Sequence, residues 1–159
     1  FVIYPYLKRW TWLCHLWLGA VDGLAPVGAW AAITGTLPWQ SWALGGAVAL
    51  WVAGFDLFYA LLDVEVDRRE GLQSVPVRFG ERGTFLGARL FHLGTVVLLV
   101  AAGLGLTVNV WYWLGVAAVA GYFWYRDIKA HKKRTPSTAW MLAPTVDEHG
   151  AGVAAVGGF

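Results

Sequence analysis

The residues best suited to chemistry stand together between Phe55 and Gly83, in the run FDLFYALLDVEVDRREGLQSVPVRFGERG. Asp56, Asp63 and Asp67 lie in it with Glu65 among them, and Arg68–Arg69 follows directly. Asp63 and Asp67 are four residues apart, and Asp56 is seven before Asp63. On a helix of about 3.6 residues per turn these spacings place all three on one face, with Tyr59 and Ala60 between them. Carboxylates so close repel one another unless a cation bridges them. Mg²⁺ takes hard oxygen ligands, is commonly held by one or two carboxylates, and fills its other positions with substrate phosphates. Asp63 and Asp67 are therefore candidate Mg²⁺ ligands, and a phosphorylated, lipid-like substrate is what such a site would serve. The pattern fits equally a solvated helix end where Glu65, Asp67, Arg69 and Glu70 mix charge.

Asp56 lies inside the apolar stretch, where an isolated charge is costly. Such a residue serves a function, or sits hydrated near the interface, or pairs with an arginine. Asp22 poses the same question: it faces a polar cavity or bonds to a neighbouring helix. Lys8, Arg9, Arg68, Arg69 and Arg78 could neutralise a diphosphate, the arginines by bidentate contacts. Each is also explained by the ordinary basic bias of cytoplasmic membrane flanks. His15, His92, His131 and His149 have no zinc-site spacing and read as structural or surface residues. Ser74 and Cys14 lack a neighbouring base in sequence, so nucleophilic catalysis has no support. Gly19, Gly23 and Gly28, and likewise Gly45, Gly46, Gly103 and Gly105, read as close-packing positions between membrane helices.

The elements that must position these residues are apolar. The 159-residue chain is 58% hydrophobic and 14% charged, with mean hydropathy +0.54, against about 25% charged residues in soluble domains. Its 11 tryptophans suit a membrane–water interface. A net charge of +2 gives no reason to invoke nucleic acid. The single Cys14 cannot form an internal disulfide. No leader pattern is evident, and the opening FVIYPY reads as the tail of a helix already under way. A piece of a longer protein is the expectation.

Five spans are expected: Trp12–Thr34, Trp39–Leu62, Thr84–Leu106, a shorter Trp111–Tyr125, and a weaker Ala139–Phe159 broken by Pro144. A basic Asp-rich loop at Asp63–Gly83 and a basic linker at Arg126–Thr135 connect them. Crossing once per span puts Lys8/Arg9, the Asp63–Gly83 loop and the linker on one side, and the uncharged turns at Gly35–Pro38 and Thr107–Val110 on the other. By the positive-inside rule the basic side is cytoplasmic. The expected class is an all-α, multi-pass transmembrane bundle forming a single domain over 1–159, in a bacterial cytoplasmic membrane.

Read together, Tyr4-Pro5-x-x-Lys8-Arg9-x-Thr11, Leu18-Gly19, Asp56-x-x-Tyr59-Ala60-x-x-Asp63-x-x-x-Asp67-Arg68-Arg69-x-Gly71-x-x-Ser74 and Arg78-Phe79-Gly80 resemble the UbiA superfamily of membrane prenyltransferases. The resemblance covers most of Tyr4–Arg134. It is nearest to the 4-hydroxybenzoate polyprenyltransferases and their menaquinone-pathway relatives, with Asp63–Leu72 leaning towards the latter. The resemblance implies a nine-helix bundle, of which these spans are the last five. It implies Mg²⁺-dependent transfer of a polyprenyl group from a prenyl diphosphate to an aromatic acid in quinone biosynthesis. The acceptor is of the 4-hydroxybenzoate or dihydroxynaphthoate type. On this basis Asp63, Asp67 and Asp56 are catalytic candidates and Asp63 and Asp67 metal ligands. Lys8, Arg9, Tyr59, Arg68 and Arg69 are substrate-binding candidates.

Two departures stand out. The family's first Asp-rich motif, Asn-Asp-x-x-Asp-x-x-x-Asp, has no counterpart in these residues. An Asn-rich stretch before the last helix is replaced by Ala143–Glu148. The 159-residue chain alone is expected to be inactive. The rival readings are a non-catalytic membrane scaffold working with a complex partner, and a transporter fragment using Asp22 and Asp56.

Overall fold

The computed structural model describes residues 3–132, 140–147 and 150–157. Six helices and one hairpin follow in order: α1 Tyr4–Trp10, α2 Cys14–Thr34, α3 Trp39–Leu62, α4 Val64–Arg69, α5 Val75–Leu104, α6 Val110–Lys132, β1 Trp140–Asp147 and β2 Gly150–Gly157. Phe1–Gly121 makes one compact unit and Tyr122–Phe159 another.

In the first unit α3 packs against α2 on one side and α5 on the other. Small residues permit the approach. A Cβ built on Gly19 would fall on the Ala49 carbonyl, and one on Gly23 would lie 2.5 Å from the Gly45 carbonyl oxygen. Gly28, by contrast, has open space around it. Leu57, Val75 and Ala88 form the apolar core, with Trp12, Phe58 and Phe91 against it. Thr95 Oγ1 donates to the Ala47 carbonyl at 3.2 Å, a polar link between α5 and α3. Without a hydrophobic drive between helices in lipid, such close contacts and hydrogen bonds hold a bundle together.

Much of the apolar surface faces outward. Ile33 is 85% exposed and Leu62 78%. Among the described residues three helices are long and apolar enough to cross a membrane: α2, α3 and α5, with mean hydropathies of 1.4, 1.6 and 1.9. The chain is an integral membrane protein. Trp10, Trp39 and Trp111 are exposed close to helix ends, as an interfacial belt requires.

Three expectations need correcting. Most of Asp63–Gly83 is helical, not a loop. α4 fills Val64–Arg69, and α5 starts at Val75 with Pro76 in its first turn, where the missing N–H costs nothing. Within α5 the chain kinks at Gly80 (φ 67, ψ −177), a backbone conformation essentially confined to glycine. The fourth expected span, Trp111–Tyr125, is a longer helix, α6. Arg126 over Tyr122 and Lys129 over Tyr125, each one turn apart at 5.7 and 5.8 Å, carry it past the apolar stretch. The fifth, Ala139–Phe159, contains no helix among its described residues. Its strands β1 and β2 pair antiparallel from Trp140↔Gly157 to Asp147↔Gly150. Pro144, which opposes Val153, would remove a hydrogen bond from a helix interior, and three glycines in β2 weaken a helix further.

Candidate active site

α1 brings Tyr4 and Lys8 to one side of a short helix, one turn apart. Both reach across to the Asp-rich stretch. Lys8 Nζ lies 2.9 Å from Asp67 Oδ1 and 3.0 Å from Oδ2, so one ammonium spans both oxygens. Asp67 is 2% exposed. Tyr4 donates its hydroxyl to Asp56 Oδ2 at 2.9 Å. Burial, and next the neighbouring Asp56 carboxylate, push the Tyr4 phenol well above its ordinary value, which keeps it a hydrogen-bond donor. The backbone joins the same two segments, because the Gln73 amide donates to the Lys8 carbonyl.

A residue not singled out as functional from sequence completes the group. His15, at the start of α2 and 1% exposed, places Nδ1 2.6 Å from Asp56 Oδ2. Its other nitrogen, Nε2, accepts from the Val75 amide at 3.5 Å. Asp56 Oδ2 thus has two partners, while Oδ1 has none among the described residues. Nothing in the spacing of His15 signals this, since its partner lies 41 residues away. Tyr4 is equally remote, 52 residues from Asp56. Ser74, at the N-cap of α5, is fully buried and its hydroxyl has no partner among the described residues.

The shared face expected for Asp56, Asp63 and Asp67 divides. Asp56, Tyr59 and Asp63 follow the helical period of α3; Tyr59 and Asp63 are exposed and Asp56 partly so. Ala60, expected on that face, is buried. Asp63 then ends α3 at φ −97, ψ 0, and the chain turns into α4. That turn swings Asp67 inward to Lys8. Arg9, Arg68 and Arg69 are exposed; Arg68 pairs loosely with Glu65 at 3.6 Å, and Arg78 stacks 5.7 Å over Phe79. Asp22 is half-buried in α2, four residues before Pro26, with no side-chain partner among the described residues.

Carboxylate oxygens are the right donor type for a divalent cation, and Asp67 would join Asp63 in holding one only by releasing Lys8. Asp63 offers an exposed carboxylate with no competing side chain among the described residues. Asp67 already holds a cation, the Lys8 ammonium, on both oxygens. No group of three or more His, Cys, Asp or Glu side chains gathers among the described residues. A carboxylate pair completed by substrate oxygens does not need one.

Comparison with known proteins identifies the family of the chain. The profile described as "UbiA prenyltransferase family" matches residues 1–144. The chain is 36% identical over 131 residues to the 4-hydroxybenzoate octaprenyltransferase of Marinobacter nauticus, covering 82% of this chain and 44% of the relative. It is 36% identical over 135 residues to the Vibrio cholerae protein of the same description, covering 84% and 47%. A solved apo structure of a UbiA homolog from Aeropyrum pernix K1 superposes with a TM-score of 0.69 at 30% identity, covering 84% of this chain and 51% of that one. The chain thus spans about half the length of the proteins it matches.

Proposed function

The chain belongs to the UbiA prenyltransferase family, and on that premise we propose that the whole protein transfers a polyprenyl group from a prenyl diphosphate to an aromatic acid in quinone biosynthesis. The descriptions of its relatives favour a 4-hydroxybenzoate-type acceptor over a dihydroxynaphthoate-type one. The family's first Asp-rich motif, Asn-Asp-x-x-Asp-x-x-x-Asp, would complete the site, of which Asp56–Asp67 supply the other part. The basic segments face the cytoplasm of a bacterial cell.

The observation that carries this reading is the convergence of α1 on the Asp-rich stretch. Tyr4 and Lys8 reach Asp56 and Asp67 across 52 and 59 residues of sequence. Asp63 and Asp67 would hold Mg²⁺, which when bound neutralises the diphosphate. Lys8 exchanges Asp67 for the departing diphosphate, a like-for-like swap of anions for its ammonium. Arg9, Arg68 and Arg69, exposed around it, gather the same anion. Tyr59 and Asp56 line the open face of α3 towards the aromatic ring. Asp56 Oδ1 accepts a hydrogen bond from the acceptor's hydroxyl and holds the ring beside the prenyl C–O bond. As that bond breaks to release diphosphate, a ring carbon bonds the prenyl carbon and then loses its proton, which restores aromaticity.

The test is an Asp63→Ala/Asp67→Ala variant of the whole protein. Mg²⁺-dependent binding of prenyl diphosphate should be lost, and turnover should fall by at least about 10²-fold, the scale of losing electrostatic stabilisation. Undiminished Mg²⁺-dependent binding would overturn the assignment of Asp63 and Asp67, and a wild-type protein that binds no prenyl diphosphate would favour a transport or scaffold role.

A further inference from the structure

We propose that His15 is a positioning residue for the reaction, one that acts through Asp56; this rests on the prenyl-transfer reading above. A partly exposed carboxylate on a helix, such as Asp56, can turn about its terminal bond and offer either oxygen. Here that freedom is removed. His15 Nδ1 at 2.6 Å and the Tyr4 hydroxyl at 2.9 Å both bind Oδ2. Oδ1 is left as the oxygen available to a substrate hydroxyl.

His15 is itself fixed from behind. Its Nε2 accepts from the Val75 amide, the first residue of α5. A nitrogen that accepts carries no proton, so the proton of the neutral ring sits on Nδ1 and points at Asp56. The ring is 1% exposed, so solvent does not compete for either bond. The start of α5 thereby sets the tautomer of His15, and His15 sets the rotamer of Asp56. Two donors on one oxygen also make that oxygen the poorer base and direct acceptance to Oδ1.

The substitutions that separate this role from packing are His15→Gln and His15→Phe in the whole protein. Glutamine carries a donor and an acceptor and can keep both bonds. Phenylalanine keeps the ring shape and loses them. His15→Phe should lower kcat by about 10-fold to 100-fold, the scale of a misplaced reacting group. KM for the prenyl diphosphate should stay within about two-fold, because that substrate is held by other residues. His15→Gln should retain most of kcat. Added to Asp56→Asn, His15→Phe should cause no further loss. Nitrogen-15 NMR of the histidine-labelled whole protein should show the Nδ1–H tautomer for His15, a readout that needs no turnover and is made on the unaltered residue.

Wild-type kcat in His15→Phe, a glutamine variant no better than phenylalanine, or an Nε2–H tautomer would each overturn the proposal. Where the wild type is active and only these results fail, the His15 assignment falls alone. Where the wild type transfers no prenyl group to any aromatic acid, the prenyl-transfer reading falls and the His15 proposal falls with it.

Discussion

Asp67 is an acid that the fold keeps out of water, and its burial is tolerable because Lys8 spans both of its oxygens. Removing one member of a buried pair leaves the other charged and unsatisfied, at about 3–5 kcal/mol, whereas replacing both with apolar residues is often neutral. Lys8→Met should therefore lower the thermal midpoint of the whole protein in detergent well below that of Lys8→Met/Asp67→Leu. Equal midpoints would mean that Asp67 left without Lys8 carries no penalty. From sequence, Asp56, Asp63 and Asp67 stood out because carboxylates are conspicuous between apolar runs. Their division into an exposed Asp63 and a buried Asp67 was not legible, since it follows from one non-helical residue at Asp63. His15 was not legible as functional because its partner is set by helix packing rather than by spacing.

At the scale of the elements, glycines separate by what surrounds them. Gly19 in α2 faces the Ala49 carbonyl of α3, while Gly28, nine residues on, faces nothing within 4 Å. Gly19→Ala should destabilise the bundle by about 1–3 kcal/mol, as overpacking does. Gly28→Ala should leave stability unchanged or raise it slightly through better helix propensity. Thermal unfolding of the two variants side by side checks both, and a tolerated Gly19→Ala would contradict the packing of α2 on α3. The spacing of these glycines was readable in the sequence, but not which of them meets a partner, because that depends on the rotation of α2 about its axis. The first three spans were legible from length and hydropathy alone. The last segment was not: Ala139–Phe159 is apolar enough to suggest a helix, yet it holds Pro144 and glycine-rich β2, and backbone preference outweighs average hydropathy there.

At the scale of the molecule, the chain covers 44% and 47% of two relatives described as 4-hydroxybenzoate octaprenyltransferases. We expect the isolated 159-residue chain to show no prenyl transfer with Mg²⁺, prenyl diphosphate and 4-hydroxybenzoate. Robust turnover in that assay would show that one Asp-rich motif suffices. Composition and the lengths of the apolar runs made the membrane character readable without any comparison. An Asp-rich motif beyond Asp56–Asp67 is an expectation from resemblance alone, since no property of these residues points to it.

Lys8 is held at both ends, its ammonium by Asp67 and its carbonyl by the Gln73 amide. A lysine that lets go of Asp67 to follow an anion pulls on a peptide bond that is itself a rung of the Gln73 connection. The motion of the charge is therefore written into the protection of a single backbone hydrogen. Deuterium uptake at the Gln73 amide should rise when a diphosphate draws Lys8 away, and it should be insensitive to an aromatic acid added alone. One exchangeable proton would then keep time for the opening of the site, without any label on the substrate.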